Sequence, residues 1–185
     1  SGIVLGVGAA VTLAAWNDSV WGNAQFGISE SQWNVQGSFD SGVTWDEYID
    51  RPGESMDFTM NNLSLTPGDT TTALVGLREV HGNFGAAIEL QTPVDPATGA
   101  PISNTLADAL DVTIVDLGTA TAPCDTATTG TNLYSGTLPA STGTTSIAPL
   151  GERWLCFKVT LRAGTPPLST ATSVGVAWEF QAEST

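Results

Sequence analysis

Apolar residues recur at every second position along much of this chain, and the longest such run opens it. In residues 1–15 the odd positions carry the bulk, with Ile3, Leu5, Val7, Val11 and Leu13 joined by Ala9, while the even face is mostly small: Gly6, Gly8, Ala10, Thr12 and Ala14. Large side chains on one face and near-bare backbone on the other suit a strand laid into a tight groove between two sheet edges. Three other readings compete: the apolar core of a secretory signal, a transmembrane helix, and a buried or pilin-like helix. A signal core is normally removed. A spanning helix needs about 20 apolar residues, and this run stops at Trp16-Asn-Asp18. Three glycines in the first eight positions each disfavour a helix by roughly 0.8–1 kcal/mol relative to alanine. The expectation is a donor strand over residues 1–15, a hinge over 16–23 and a globular domain over 24–185.

Residues 3–15 fully extended reach about 43 Å, and a compact domain of the remaining length is roughly 40 Å across. The tail is therefore long enough to cross a whole neighbour. Burying its five large side chains contributes about 8–15 kcal/mol, against backbone ordering of about 1–2 kcal/mol per residue. Side-chain burial alone does not win, so main-chain hydrogen bonds along strand edges must supply the margin.

Alternation resumes at Gln25–Ser29 and Gln32–Gln36, and residues 37–52 read as a loop carrying Trp45 and Tyr48. Met56, Phe58 and Met60 predict a half-buried strand before a Thr66-Pro-Gly-Asp69 turn. Thr70–Val80 and Phe84–Thr92 are two more strands, joined as a hairpin through His81-Gly-Asn83. Leu106–Leu110 suggests one helical turn, and Asp111–Leu117 alternates again. In Arg153–Arg162 one face is Leu155, Phe157, Val159 and Leu161, the other Trp154, Cys156, Lys158 and Thr160. Val174, Val176, Trp178 and Phe180 supply the inward face of the last strand. Eight to ten short strands with polar turns predict an all-β fold: an antiparallel β-sandwich of jelly-roll type with an extended N-terminal donor strand.

Composition sharpens this. The 185 residues include 20 Gly and 10 Pro and carry a formal charge of −14, which repels phosphate backbones and anionic membrane surfaces, so nucleic-acid partners are set aside. Cys124 and Cys156 would form one disulfide in an extracellular setting, stabilising by about 3.5–4 kcal/mol on a chain-entropy account; two buried free thiols are the alternative. Asn17-Asp-Ser19 and Asn62-Leu-Ser64 fit the glycosylation sequon, a motif short enough to occur by chance.

Four segments, taken in order, carry a family resemblance. Leu13-Ala-Ala-Trp-Asn-Asp18 follows the apolar Gly-rich stretch. Leu133-Tyr-Ser-Gly-Thr-Leu138 comes next, then Ile147-Ala-Pro-Leu-Gly-Glu152 leading into the strand from Trp154, and Val176-Ala-Trp-Glu-Phe-Gln-Ala182 closes the chain. This succession resembles the TasA/camelysin (CalY) family of exported fibre proteins, including related archaeal bundling pili. The resemblance implies a secreted jelly-roll domain that assembles into extracellular biofilm-matrix fibres by donor-strand exchange with identical subunits. One departure matters: in such proteins the signal is expected to be cut near Ala14 or Ala15. Cleavage just before Ser1 would instead make the former signal core the donor strand, and that reading is favoured.

Part of that family carries a metalloprotease label, so the residues bear directly on enzyme activity. A catalytic zinc site usually needs two histidines on one helix face, and this chain has only His81, with no Gly-x-Ser-x-Gly elbow. No enzyme activity and no cofactor is expected. Asp40, Asp46, Glu47 and Asp50 are the candidate oxygen ligands for calcium, but without EF-hand spacing a solvated loop is the favoured reading. Trp16, Trp21, Trp33 and Trp45 suggest a rival, a monomeric secreted module that stacks sugars. The first reading is a structural subunit donating residues 3–15, with Ile3, Leu5, Val7, Ala9, Val11 and Leu13 as its inserted face, and with no membrane span.

Overall fold

The structure, a computed structural model, describes residues 33–59, 64–166 and 173–185 together with the main chain of residues 17–22. The donor-strand residues Ile3, Leu5, Val7, Ala9, Val11 and Leu13 lie outside the described residues, as do Gln25–Ser29 and Asn62. Nine strands run through the described residues: β1 Asn17–Gly22, β2 Val35–Ser38, β3 Thr70–Glu79, β4 Ala86–Leu90, β5 Leu110–Gly118, β6 Thr131–Thr137, β7 Gly143–Ile147, β8 Glu152–Leu161 and β9 Trp178–Ser184. They form two antiparallel sheets, in the orders β1-β9-β4-β7 and β2-β3-β8-β5-β6. With β2 set aside, the pairings nest around the β5–β6 connection: β5 with β6, β4 with β7, β3 with β8 and β1 with β9. The expected antiparallel, two-sheet all-β architecture is what the chain adopts.

The core lies between the sheets and follows the period-two pattern. Leu155, Phe157, Val159 and Leu161 of β8 face Trp178, Phe180 and Ala182 of β9 in one buried cluster. Phe157 meets Trp178 and Phe180 edge-on, at ring separations of 5.3 and 6.2 Å, the geometry that the ring quadrupole favours. The opposite face of β8 is covered as well. Trp154 and Cys156 are buried because Trp45 packs against Trp154 at 5.5 Å and Cys124 is bonded to Cys156. Gly76 of β3 makes room for the two indoles: a Cβ there would lie 2.7 Å from Trp45 and 2.8 Å from Trp154.

Four local expectations differ from what is found. Within the predicted hinge 16–23, Asn17–Gly22 is strand β1, paired with β9 from Asn17↔Glu183 to Gly22↔Trp178; main-chain pairing overrides the turn-like composition. The hairpin through His81 does not form. Strand β3 already has β2 and β8 on its two edges, so the chain crosses and β4 joins the other sheet. Met56 and Phe58 pack half-buried against the core but belong to no strand, held by single bonds such as Asp57 N to Phe39 O at 3.0 Å. Finally, β6 and β7 occupy a Thr/Ser-rich stretch in which no strand is expected from apolar alternation.

Candidate functional site

Sheet edges are where main-chain groups can be offered to another chain, so the edges come first. Two of the four are closed by the chain itself. On β2, Gly37 exchanges hydrogen bonds with Asp46, N to O at 3.0 Å and O from N at 3.2 Å. On β7, the Arg153 guanidinium donates to the Ser146 carbonyl from Nε at 2.9 Å and Nη2 at 2.6 Å. The same guanidinium lies 3.6 Å from Asp116, and Thr145 Oγ1 donates to that carboxylate at 2.6 Å. Arg153 therefore bolts the β7 edge to the facing sheet. Strands β1 and β6 are the other two edges, and among the described residues neither has a main-chain partner on its outer side. Such plugged edges are how native sheets avoid unwanted pairing.

The start of β1 fixes where the tail leaves. Asn17 sits opposite Glu183, and Ala87 of β4 flanks Glu183 on the other side. Gly85 and Thr185 exchange two hydrogen bonds of 3.1 Å just beyond. The tail thus departs from the pole formed by the end of β9 and the loops 80–85 and 148–151. Glu79 organises that pole. Only 2% exposed, its carboxylate accepts from the main-chain N–H of His81 at 2.8 Å, Gly82 at 2.7 Å and Leu150 at 2.9 Å. Burial pushes this carboxyl up, but the N–H donors of Leu150, His81, Gly82 and Asn34 outweigh it and hold it below its ordinary value. Sequence reasoning missed Glu79; the only local signal is a carboxylate closing a run of buried strand residues.

The two predicted cysteines are brought together. Cys124 and Cys156 form a disulfide with Cα atoms 5.4 Å apart, pinning the β5–β6 connection to the outer face of β8. Thr72 Oγ1 donates to the Cys124 carbonyl at 2.9 Å, and Lys158 Nζ donates to the carbonyls of Thr126 at 3.0 Å and Thr128 at 2.5 Å. Beside it lies an open groove of about 400 Å³ lined by Ser41, Asp57, Thr72, Leu74 and Cys124. His81 lies nine residues along the chain from Thr72, about 30 Å at strand rise, so that groove holds no imidazole.

The acidic loop does not gather into a cage. Asp40 accepts from Ser38 Oγ and from the N–H and hydroxyl of Thr44; burial raises its carboxyl, and these donors together outweigh that and bring it below the ordinary range. Asp46 accepts from the N–H of Glu47, and Glu47 accepts from the Asn34 amide. Among the described residues no group of three or more His, Cys, Asp or Glu is placed to hold a metal ion. Of the four tryptophans suggested as a sugar platform, only the side chains of Trp33 and Trp45 are described, and these two do not present a shared open face. Trp33 is buried, with Nε1 donating to the Gly85 carbonyl at 2.9 Å, and the face of Trp45 is occupied by the Arg78 guanidinium 4.5 Å above it. Trp16 and the Trp21 side chain lie outside the described residues.

Among the described residues no helix is long and apolar enough to cross a membrane. No family model matches this chain, and no curated protein matches it.

Proposed function

We propose that this chain is the structural subunit of an extracellular filament, in which residues 3–15 of one copy add as a donor strand to an edge of the next. The observation that carries the reading is positional. The alternating apolar tail runs directly into β1, an edge strand, while β2 and β7 are plugged by Asp46 and Arg153. Strand β6 is the acceptor edge on this reading. It belongs to the other sheet and to the far side of the sandwich from β1, so donor and acceptor are different surfaces and each contact leaves one of each free. The nested pairing of eight strands supports a jelly roll within the two-sheet architecture, and the disulfide suits an oxidising, extracellular setting. The succession of segments resembling TasA/camelysin proteins points the same way.

The test is deletion of Ser1 to Ala15. The full chain is expected to form filaments under negative stain and the truncated chain to stay monomeric by size exclusion. Filaments of normal appearance from the truncated chain would refute donation of the tail.

A further inference from the structure

From the pole where the tail leaves, we infer a second contact between copies: an apolar knob made by Leu150 and Phe84, which the receiving subunit covers in the filament. This rests on the filament reading and adds to it a docking surface outside the donor strand.

Among the described residues the exposed large hydrophobic side chains are Val43, Ile49, Phe84 and Leu150, and two of these four stand on the tail-exit pole. Leu150 is 69% exposed and Phe84 44%. Leu150 also has φ +54°, a left-handed conformation that a bulky side chain adopts only under constraint. Leu150 is the third residue of the Ala148–Gly151 turn, closed by Gly151 N to Ala148 O at 2.8 Å, where a positive φ follows Pro at the second position, and Glu79 braces it by accepting from Leu150 N and from His81 and Gly82 in the facing loop. The loops are locked side by side: a Cβ on Gly82 would lie 2.7 Å from Leu150 Cγ. The turn thus holds Leu150 in a left-handed backbone with its side chain in solvent.

The occupant follows from the length of the linker. Only Trp16 separates Ala15 from Asn17, so a neighbour that grips the tail as far as Ala15 comes within about 7 Å of the start of β1. Asn17 lies two strands from Ala87 and three from Ser146 through the pairs Asn17↔Glu183, Glu183↔Ala87 and Ala87↔Ser146, which is about 10 and 14 Å at ordinary strand spacing. With the bulk of a neighbouring domain roughly 40 Å across on the β4–β7 side of so short a linker, the loops adjoining those residues lie beneath it. The covering partner is therefore a second copy of this chain.

Hydroxyl-radical footprinting of the full chain, comparing filament and unassembled fractions by peptide mass spectrometry, tests this without substitution. Phe84 and Leu150 are expected to oxidise at least about threefold more slowly in filaments, as core interface residues do when water is excluded, while Val43, 80% exposed and outside loops 80–85 and 148–151, keeps its rate. Filaments in which Phe84 and Leu150 react as fast as in the unassembled chain overturn the knob and leave strand donation standing. A chain that never assembles overturns both. Leu150→Gly gives the second measurement, because glycine accepts the left-handed backbone without strain. Its melting temperature is expected to be unchanged or higher, yet the concentration needed for filaments should rise roughly tenfold, the loss expected for one leucine left unburied. Assembly at the parent concentration would overturn the inference.

Discussion

Glu79→Gln tests how the tail-exit pole is held, because it keeps shape and removes only charge and one acceptor. In the parent, Oε2 serves the N–H groups of Gly82 and Leu150 and Oε1 that of His81. The better amide orientation keeps its oxygen for Gly82 and Leu150 and turns its NH2 against the His81 N–H. One bond to a charged acceptor is then lost outright, about 1.5–3 kcal/mol, and two others fall to neutral strength at about 1 kcal/mol each. Water reaching the exposed His81 recovers part of this, so about 2–4 kcal/mol is expected. For a chain of this size that corresponds to a melting temperature lower by roughly 5–15 °C, measured by calorimetry at pH 7. The pH dependence has a definite sign. The folded carboxyl lies below its ordinary value of 4.5, so its contribution is complete above that pH and is lost as pH falls through the depressed folded value. The gap between parent and variant should therefore be full at neutral pH and close below about pH 4.5. A fall of under about 2 °C, or a gap that persists undiminished in acid, would show that the carboxylate does not hold the three N–H groups.

Replacing both Cys124 and Cys156 with serine should cost about 3.5–4 kcal/mol from loop entropy, across a sequence separation of 32, and lower the melting temperature by roughly 7–16 °C. An unchanged melting temperature would mean that the Thr72 and Lys158 bonds hold the segment without the sulfur bridge. Gly76→Ala should destabilise by about 1–3 kcal/mol, since its methyl group meets Trp45 and Trp154 inside van der Waals contact. A red shift in tryptophan emission should accompany the loss, and a variant with parental stability and emission would show that the indole pair has room to move.

The sequence makes β8 and β9 legible for a simple reason: both are inner strands, and their inward side chains must be large and apolar at every second position, from Leu155 to Leu161 and from Trp178 to Ala182. Strands β6 and β7 show no such signal. Thr131–Thr137 and Gly143–Ile147 lie at sheet edges and are strands because β5 and β4 supply main-chain partners, a relation that no local window contains. The failed hairpin at His81 has the same origin, because β3 was already paired on both sides by β2 and β8. Glu79 was illegible as a site because one of its donors, Leu150, is 71 residues away; read locally, a glutamate before a Gly-Asn turn is an ordinary solvated charge. The disulfide was legible as two cysteines, while the face of the sandwich it covers emerged only with the fold.

The distribution of plugged and open edges bears on what kind of assembly such a subunit can build. If β1 of one copy paired with β1 of another, the same patch would meet itself and the contact would close as a two-fold dimer. A tail that seats on β6 instead joins two different surfaces, and every added copy presents the same unused pair, so growth is open-ended. Plugs on β2 and β7 remove the two edges that could divert the tail sideways, and the net charge of −14 opposes indiscriminate contact between domain surfaces. An apolar tail carrying no charged side chain is insensitive to that repulsion and to the salt that screens it. On the proposed reading, charge opposes contact between domain surfaces away from the apolar pole, and the uncharged tail is the contact that gives growth its direction.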